Sequence, residues 1–171
     1  MEKGKRGRIY LVGFMGSGKT TVGAALAREL GYRLIDLDRE IEKQRGLSVS
    51  EIFEKEGEPA FRQMEAGILR STEHARDVVV ATGGGTMTRW ENREFIARTG
   101  VTVWLDAPLE VLLERCRGGE RRPLLSTPER MAALLEERLV GYKTADLRAD
   151  TAGRSPEAVA RWIAGQAASH L

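Results

Sequence analysis

Cysteine occurs once, at Cys116, so the chain cannot close a disulfide within itself or build a zinc site from four thiolates. Histidine occurs twice, at His74 and His170, too sparse for a histidine-based triad or metal site; both are expected on the surface. The single asparagine, Asn92, is followed by Arg-Glu-Phe, so the guanine-reading Asn-Lys-x-Asp of GTPases is absent. Charge of one sign is also missing. The net value is +2, and no bulk field points to nucleic acid or an anionic membrane as partner. Apolar runs such as Val78–Ala81 and Val101–Leu105 fall far short of the roughly 20 residues that span a bilayer. The basic start MEKGKRGR leads only into Ile9–Gly16 before Ser-Gly-Lys, too short a stretch for a signal peptide. A soluble, cytoplasmic chain is expected.

The 171 residues fit one domain, 1–171, and 42% hydrophobic with 30% charged residues is ordinary globular composition. Of the 27 basic residues, 21 are arginine, whose planar fork suits phosphate and carboxylate. For most of them, compositional bias and solvated helix faces are sufficient reason. Short apolar runs alternate with longer helical patterns, which is the signature of an α/β fold. The runs Ile9–Val12, Arg33–Asp36, Val78–Ala81, Val101–Leu105 and, weakly, Leu147–Thr151 predict a central five-stranded parallel sheet with helices on both faces, a three-layer arrangement. Helices are predicted over Gly18–Leu30, Asp38–Gln44, from the Ser48-x-x-Glu51 capping box, from Pro59 toward His74, and over Asn92–Arg98, Pro108–Arg117, Arg130–Tyr142 and Pro156–Ser169. Gly118–Pro128, with two glycines, two prolines and no apolar period, reads as a mobile loop.

Gly13-Phe-Met-Gly16-Ser17-Gly18-Lys19-Thr20 matches the P-loop pattern in full, between a β-branched strand and a helix-forming stretch. Glycine is needed where backbone N–H groups must face phosphate without an intervening Cβ, and the helix start adds partial positive charge. Lys19 would bridge the β- and γ-phosphates of ATP, and Thr20 would hold Mg²⁺. Kinase is what remains after exclusion. The only Asp-x-x-Gly, Asp150–Gly153, lies too near the C-terminus for a GTPase switch, and motor and transport ATPases are longer chains.

Asp36 and Asp38 sit at the carboxyl end of the second predicted strand, the edge where open α/β sheets bind ligands. One carboxylate could steady hydrated Mg²⁺ while the other accepts a hydroxyl proton from a substrate. The alternative is a helix cap at Asp38 with Asp36 solvated. Gly83, Gly84 and Gly85 follow a buried strand; a side-chain-free backbone would let a small polyol lie against main-chain N–H groups, and a plain flexible loop is the competing reading.

Together, Gly13–Thr20, Leu34-Ile-Asp-Leu-Asp38, the segment from Phe53 through Arg62 to Glu65, Thr82–Gly85 and Arg122-Pro-Leu-Leu125 resemble the shikimate kinase family, in order and approximate spacing over residues 9 to about 156. The resemblance implies a nucleoside-monophosphate-kinase-like P-loop fold, a substrate-binding segment at about 36–65 and a closing lid at about 115–128. It implies that Asp38 orients or deprotonates a shikimate hydroxyl, that Arg62 and Arg138 hold the carboxylate, and that Glu65 positions Arg62. Gly83–Gly85 would line the ring. Arg122 and Lys19 would meet the transferring group, with Thr20 and Asp36 serving Mg²⁺. The nucleotide would also touch Gly13, Gly16, Ser17, Gly18 and Thr21, with Arg115 or Arg117 flanking adenine and the loop around Arg154 on its other side. Val140 stands where the family usually has proline, which leaves Arg130 as the alternative partner of Arg62. A monomer is expected. Gluconate and adenylate kinases are the rival enzymes; a nucleotide-sensing module would not need Asp38, Arg62 and Arg122.

Lys19→Met is expected to abolish turnover in a folded protein, because loss of one transition-state charge contact costs roughly 3 kcal/mol or more. Steady-state rates beside a circular dichroism spectrum check this, and near-wild-type turnover would sink the P-loop assignment.

Overall fold

A computed structural model describes residues 7–117 and 127–171. The chain runs β1 (Arg8–Val12), α1 (Lys19–Leu30), β2 (Arg33–Asp36), α2 (Leu37–Arg45), α3 (Val49–Ser71), β3 (Val78–Ala81), α4 (Trp90–Thr99), β4 (Val101–Asp106), α5 (Leu109–Cys116), α6 (Pro128–Tyr142), β5 (Leu147–Asp150) and α7 (Pro156–Ala167). Short 3-10 turns occupy Thr72–His74 and Thr86–Thr88. The five strands are parallel in the order β2-β3-β1-β4-β5.

Every residue of β3 is buried, and so are Ile9–Val12 of β1. Continuous apolar runs of this kind belong to parallel strands covered on both faces. Alternation along the strands divides the core in two. Tyr10, Val12, Val78, Val80 and Trp104 face α2 to α6 through Leu37, Ile41, Ile52, Phe61, Phe95 and Met131. Ile9, Leu11, Val79, Val101 and Val103 face α1 and α7 through Leu26, Val159 and Ile163. The expected three layers are present.

Register places the chemistry. Leu11 of β1 and Asp36 of β2 both pair with Ala81 of β3. The P-loop, the Asp36–Asp38 segment and the glycine triplet therefore leave the sheet side by side, at its carboxyl edge.

Several predicted boundaries shift. α2 begins at Leu37 and is capped by Asp36, whose side chain accepts from the Arg39 N–H, so the alternative with Asp38 as cap is wrong. The two helices expected from Ser48 and Pro59 form one run broken at Gly57, where φ 83 and ψ 168 are open to glycine but costly for other residues. Pro59 opens the second half without losing a needed N–H. α6 starts at Pro128 behind a Thr127 cap rather than at Arg130. Both histidines are exposed. Among the described residues, no helix is long and apolar enough to cross a membrane.

The buried Tyr10 hydroxyl lies 3.0 Å from Thr72 Oγ1 and 2.9 Å from Thr99 Oγ1, tying β1 to the ends of α3 and α4 away from the carboxyl edge. Tyr10→Phe is expected to lower stability in urea by about 1–2 kcal/mol while leaving every kinetic constant unchanged.

Candidate active site

The phosphate cradle is made by backbone. Gly13, Gly16 and Gly18 have φ of 152, 77 and 92, a region that favours glycine. Gly18 precedes α1 without a side-chain cap, so the first N–H groups of the helix are not claimed by one. Lys19 is largely buried, and its Nζ donates to the carbonyls of Gly13 at 2.7 Å and Phe14 at 3.0 Å. Ser17 Oγ is buried and has no hydrogen-bond partner among the described residues. An orphaned buried hydroxyl just ahead of a helix N-terminus fits a polyphosphate. Thr21 is exposed on the first turn of α1.

Beside the cradle, Thr20 Oγ1 donates to Asp36 Oδ2 at 2.7 Å, while Asp36 Oδ1 accepts from Arg39 N at 3.2 Å. Among the described residues no group of three or more Asp, Glu, His or Cys could cage a metal. A hydroxyl and one carboxylate fit Mg²⁺, which keeps waters and takes further oxygens from phosphate.

The second half of the site is made of side chains. Glu65 on α3 is fully buried; its Oε1 accepts from Arg62 Nη1 at 3.0 Å and its Oε2 from Thr86 Oγ1 at 2.8 Å. Arg62 Nη2 also reaches Glu58 Oε1 at 3.4 Å. From α6, buried Arg138 approaches the same loop, its Nε without a hydrogen-bond partner among the described residues and its guanidinium 5.7 Å from the Phe14 ring centroid. Burial is the main cause pulling the Arg138 pKa below the ordinary guanidinium value; Tyr142 opposes this and the Arg62 cation adds to it. An anion placed between the two arginines would counter the Arg62 repulsion and offset the cost of burial.

The glycine triplet meets these side chains directly. A Cβ on Gly83 would collide with Glu65 Oε2 and lie 3.2 Å from Asp38 Oδ1; on Gly84 it would lie 3.0 Å from Arg138 Nη1; on Gly85 it would strike the Arg62 guanidinium. None of the three has a positive φ, so glycine is required here for room rather than for conformation. Tyr142 Oη donates to the Gly84 carbonyl at 2.5 Å, and burial pushes its pKa up to about 12. Arg130 is exposed in the first turn of α6, eight residues and about 12 Å of helix rise from Arg138. Arg138 is the arginine brought to Arg62.

On the far side of the P-loop, Arg115 donates to Gly16 O at 3.2 Å, Thr151 Oγ1 at 3.0 Å and Thr151 O at 2.9 Å. Arg117 is exposed at the end of α5, and exposed Arg154 donates to Asp150 O and Ala158 O. Arg122 and most of the expected lid, residues 118–126, lie outside the described residues. Thr86, Tyr142 and Thr151 were not foreseen as site residues. An Arg and a Tyr four apart on one helix face is the one signal that could have found Tyr142.

A P-loop at the carboxyl end of the middle strand of this parallel sheet, facing a pocket of carboxylate and guanidinium groups, defines a P-loop kinase for a small molecule. A family model described as shikimate kinase matches residues 15–167. The chain belongs to the shikimate kinase family. It is 49% identical over 159 residues to the shikimate kinase of Geobacter sulfurreducens, spanning 91% of this chain and 88% of that protein. It is 43% identical to the Persephonella marina shikimate kinase, over 92% and 97% of the two chains. The solved shikimate kinase from Acinetobacter baumannii in complex with shikimate superposes with a TM-score of 0.91 at 38% identity, over 98% of this chain and 95% of that one.

Gly85→Ala is expected to fold, because the methyl meets only the movable end of Arg62, yet to raise KM for the acid substrate with ATP binding unchanged. Gly83→Ala is expected to lose more stability, since buried Glu65 cannot swing away. Thermal melts and separate KM values for the two substrates check both.

Proposed function

We propose that the chain transfers the γ-phosphoryl group of ATP to the 3-hydroxyl of shikimate, giving shikimate 3-phosphate and ADP in aromatic amino acid biosynthesis. The observation that carries this reading is the convergence of Arg62 and Arg138 on the Gly84–Gly85 backbone, next to Asp38 Oδ1 at Gly83. Two guanidinium groups against bare main chain suit a carboxylate on a small ring. The neighbouring Asp38 suits a hydroxyl on the same ring. An adenylate kinase would require arginines around a second nucleotide phosphate. Gluconate carries the same functional groups, and family membership favours shikimate over it.

In this reading Asp38 orients the attacking hydroxyl and accepts its proton, and Lys19 moves from the Gly13 and Phe14 carbonyls to the β- and γ-phosphates. Thr20 and Asp36 would hold Mg²⁺ arriving with ATP, which would supply charge neutralisation at the phosphate oxygens. Arg115 flanks the base, with the Thr151–Arg154 loop beside it. Arg122 keeps the role implied by resemblance, on the transferring group. Alignment and charge stabilisation supply the rate. The enzyme works as a cytoplasmic monomer.

The test pairs protein and ligand changes. Arg62→Lys keeps the charge and loses the fork, and is expected to raise KM for shikimate severalfold with ATP affinity unchanged. Wild type is expected to discriminate against shikimate's neutral amide by about 1.5–3 kcal/mol per charge-assisted contact, and Arg62→Ala to lose most of that discrimination. Equal losses for acid and amide on removing Arg62 would refute the carboxylate assignment.

A further inference from the structure

Thr86 has no place in the reaction as described, yet it is fully buried and each of its polar atoms is engaged. Its N–H donates to Gly83 O at 3.2 Å, closing the turn of the glycine triplet. Its carbonyl accepts from the Nδ2 of buried Asn92 at 3.0 Å, which anchors the turn to the start of α4. Its hydroxyl donates to Glu65 Oε2 at 2.8 Å. Glu65 Oε1 in turn holds Arg62 Nη1 at 3.0 Å.

The geometry points to Thr86 as a positioning residue that sets which edge of the Arg62 guanidinium is presented to the substrate carboxylate. The inference rests on the reading of Arg62 as a carboxylate binder. A carboxylate beside a guanidinium favours the bidentate fork, with both oxygens on one edge. The Thr86 hydroxyl holds Oε2 away from that arrangement, so that Glu65 grips Arg62 through Nη1 alone; Nη2 keeps only the 3.4 Å contact with exposed Glu58, which an incoming carboxylate can displace. Glu65 has no solvent contact, so without the hydroxyl its second oxygen cannot turn to water. It would rotate onto Arg62 and compete with the incoming acid. Asn92 fixes the height of the turn and hence the reach of the hydroxyl.

Thr86→Val keeps shape and volume while deleting the donor; Thr86→Ser restores the donor. Thr86→Val is expected to raise KM for shikimate on the order of tenfold. Under the same substitution, kcat and ATP affinity are expected to stay near wild type, and KM for the neutral amide to change little. Thr86→Ser is expected to return KM toward wild type. In an Arg62→Ala background, Thr86→Val is expected to have no further effect, because the hydroxyl acts through Arg62. If Thr86→Val does not fold, Thr86→Ala replaces it, since the Gly83 and Asn92 contacts use backbone. Equal KM for the Val and Ser variants, or equal effects on acid and amide while Arg62→Ala still distinguishes them, would overturn this inference alone. Failure of Arg62→Ala itself to distinguish acid from amide would overturn the carboxylate reading and this inference with it.

Discussion

Glu65 places a carboxylate where no solvent reaches it, and a group so placed is tolerated only when donors surround it and nothing crowds its oxygens. Much of the arrangement around Arg62 and Arg138 follows from that requirement. One oxygen takes Arg62 and thereby aims it; the other takes Thr86. Position 83 must be glycine because any side chain would occupy the space of Oε2, and position 85 must be glycine because the aimed Arg62 lies across it. Arg138 and Tyr142 then close over position 84 from α6. The run of glycines is therefore the imprint of side chains from two distant helices.

The two halves of the site are built on different principles. The phosphate half is local: eight contiguous residues supply glycine conformations, helix N–H groups and a lysine, and they need only one strand and one helix to stand correctly. The acceptor half draws on α2, α3, the Thr86–Thr88 turn and α6, whose relative placement depends on the whole packing of one sheet face. The sheet joins them. Since Leu11 and Asp36 share Ala81 as their paired neighbour, the P-loop after β1, the glycine triplet after β3 and the Asp36–Asp38 segment after β2 leave three successive strands at one height, and their separation is set by strand spacing.

That difference also explains what could be read in advance. The P-loop was legible because its chemistry and its sequence neighbourhood coincide. The inner strands β1, β3 and β4 were legible because parallel strands buried on both faces leave unbroken apolar runs; the edge strands β2 and β5 carry charged residues, and β5 left only a weak signal. The glycine triplet stood out as unusual, but the reason expected for it, exposed main-chain N–H groups, is secondary to the side chains that press on it. Asp36 and Asp38 were ambiguous because the pair suits either a metal-and-base couple or a cap at Asp38 with Asp36 solvated; the cap is instead Asp36, which also faces Thr20 across the strand–helix junction. Thr86 was not legible as a functional residue, since its partners Glu65 and Asn92 lie 21 and 6 positions away and nothing local marks the contact.

Val140 shows how a departure from a family pattern is judged physically. Proline is usual at that position, two residues before the tyrosine, and its loss raises the question whether the end of α6 still delivers Arg138. Yet Val140 is 71% exposed, so it faces away from the pocket. What seats the helix is its neighbour Gly141, where a Cβ would come within 2.6 Å of the Met87 carbonyl. That close approach lets α6 rest directly on the Thr86–Thr88 turn, which brings Tyr142 to Gly84 and Arg138 to the same loop. Proline at 140, inside α6, would delete one helical N–H and crowd the carbonyl a turn back on the solvent side, whereas a side chain at 141 would lift the helix, with Arg138 and Tyr142, off the Thr86–Thr88 turn. The seating of Arg138 and Tyr142 therefore rests on Gly141, while Val140 stays on the solvent side of the helix.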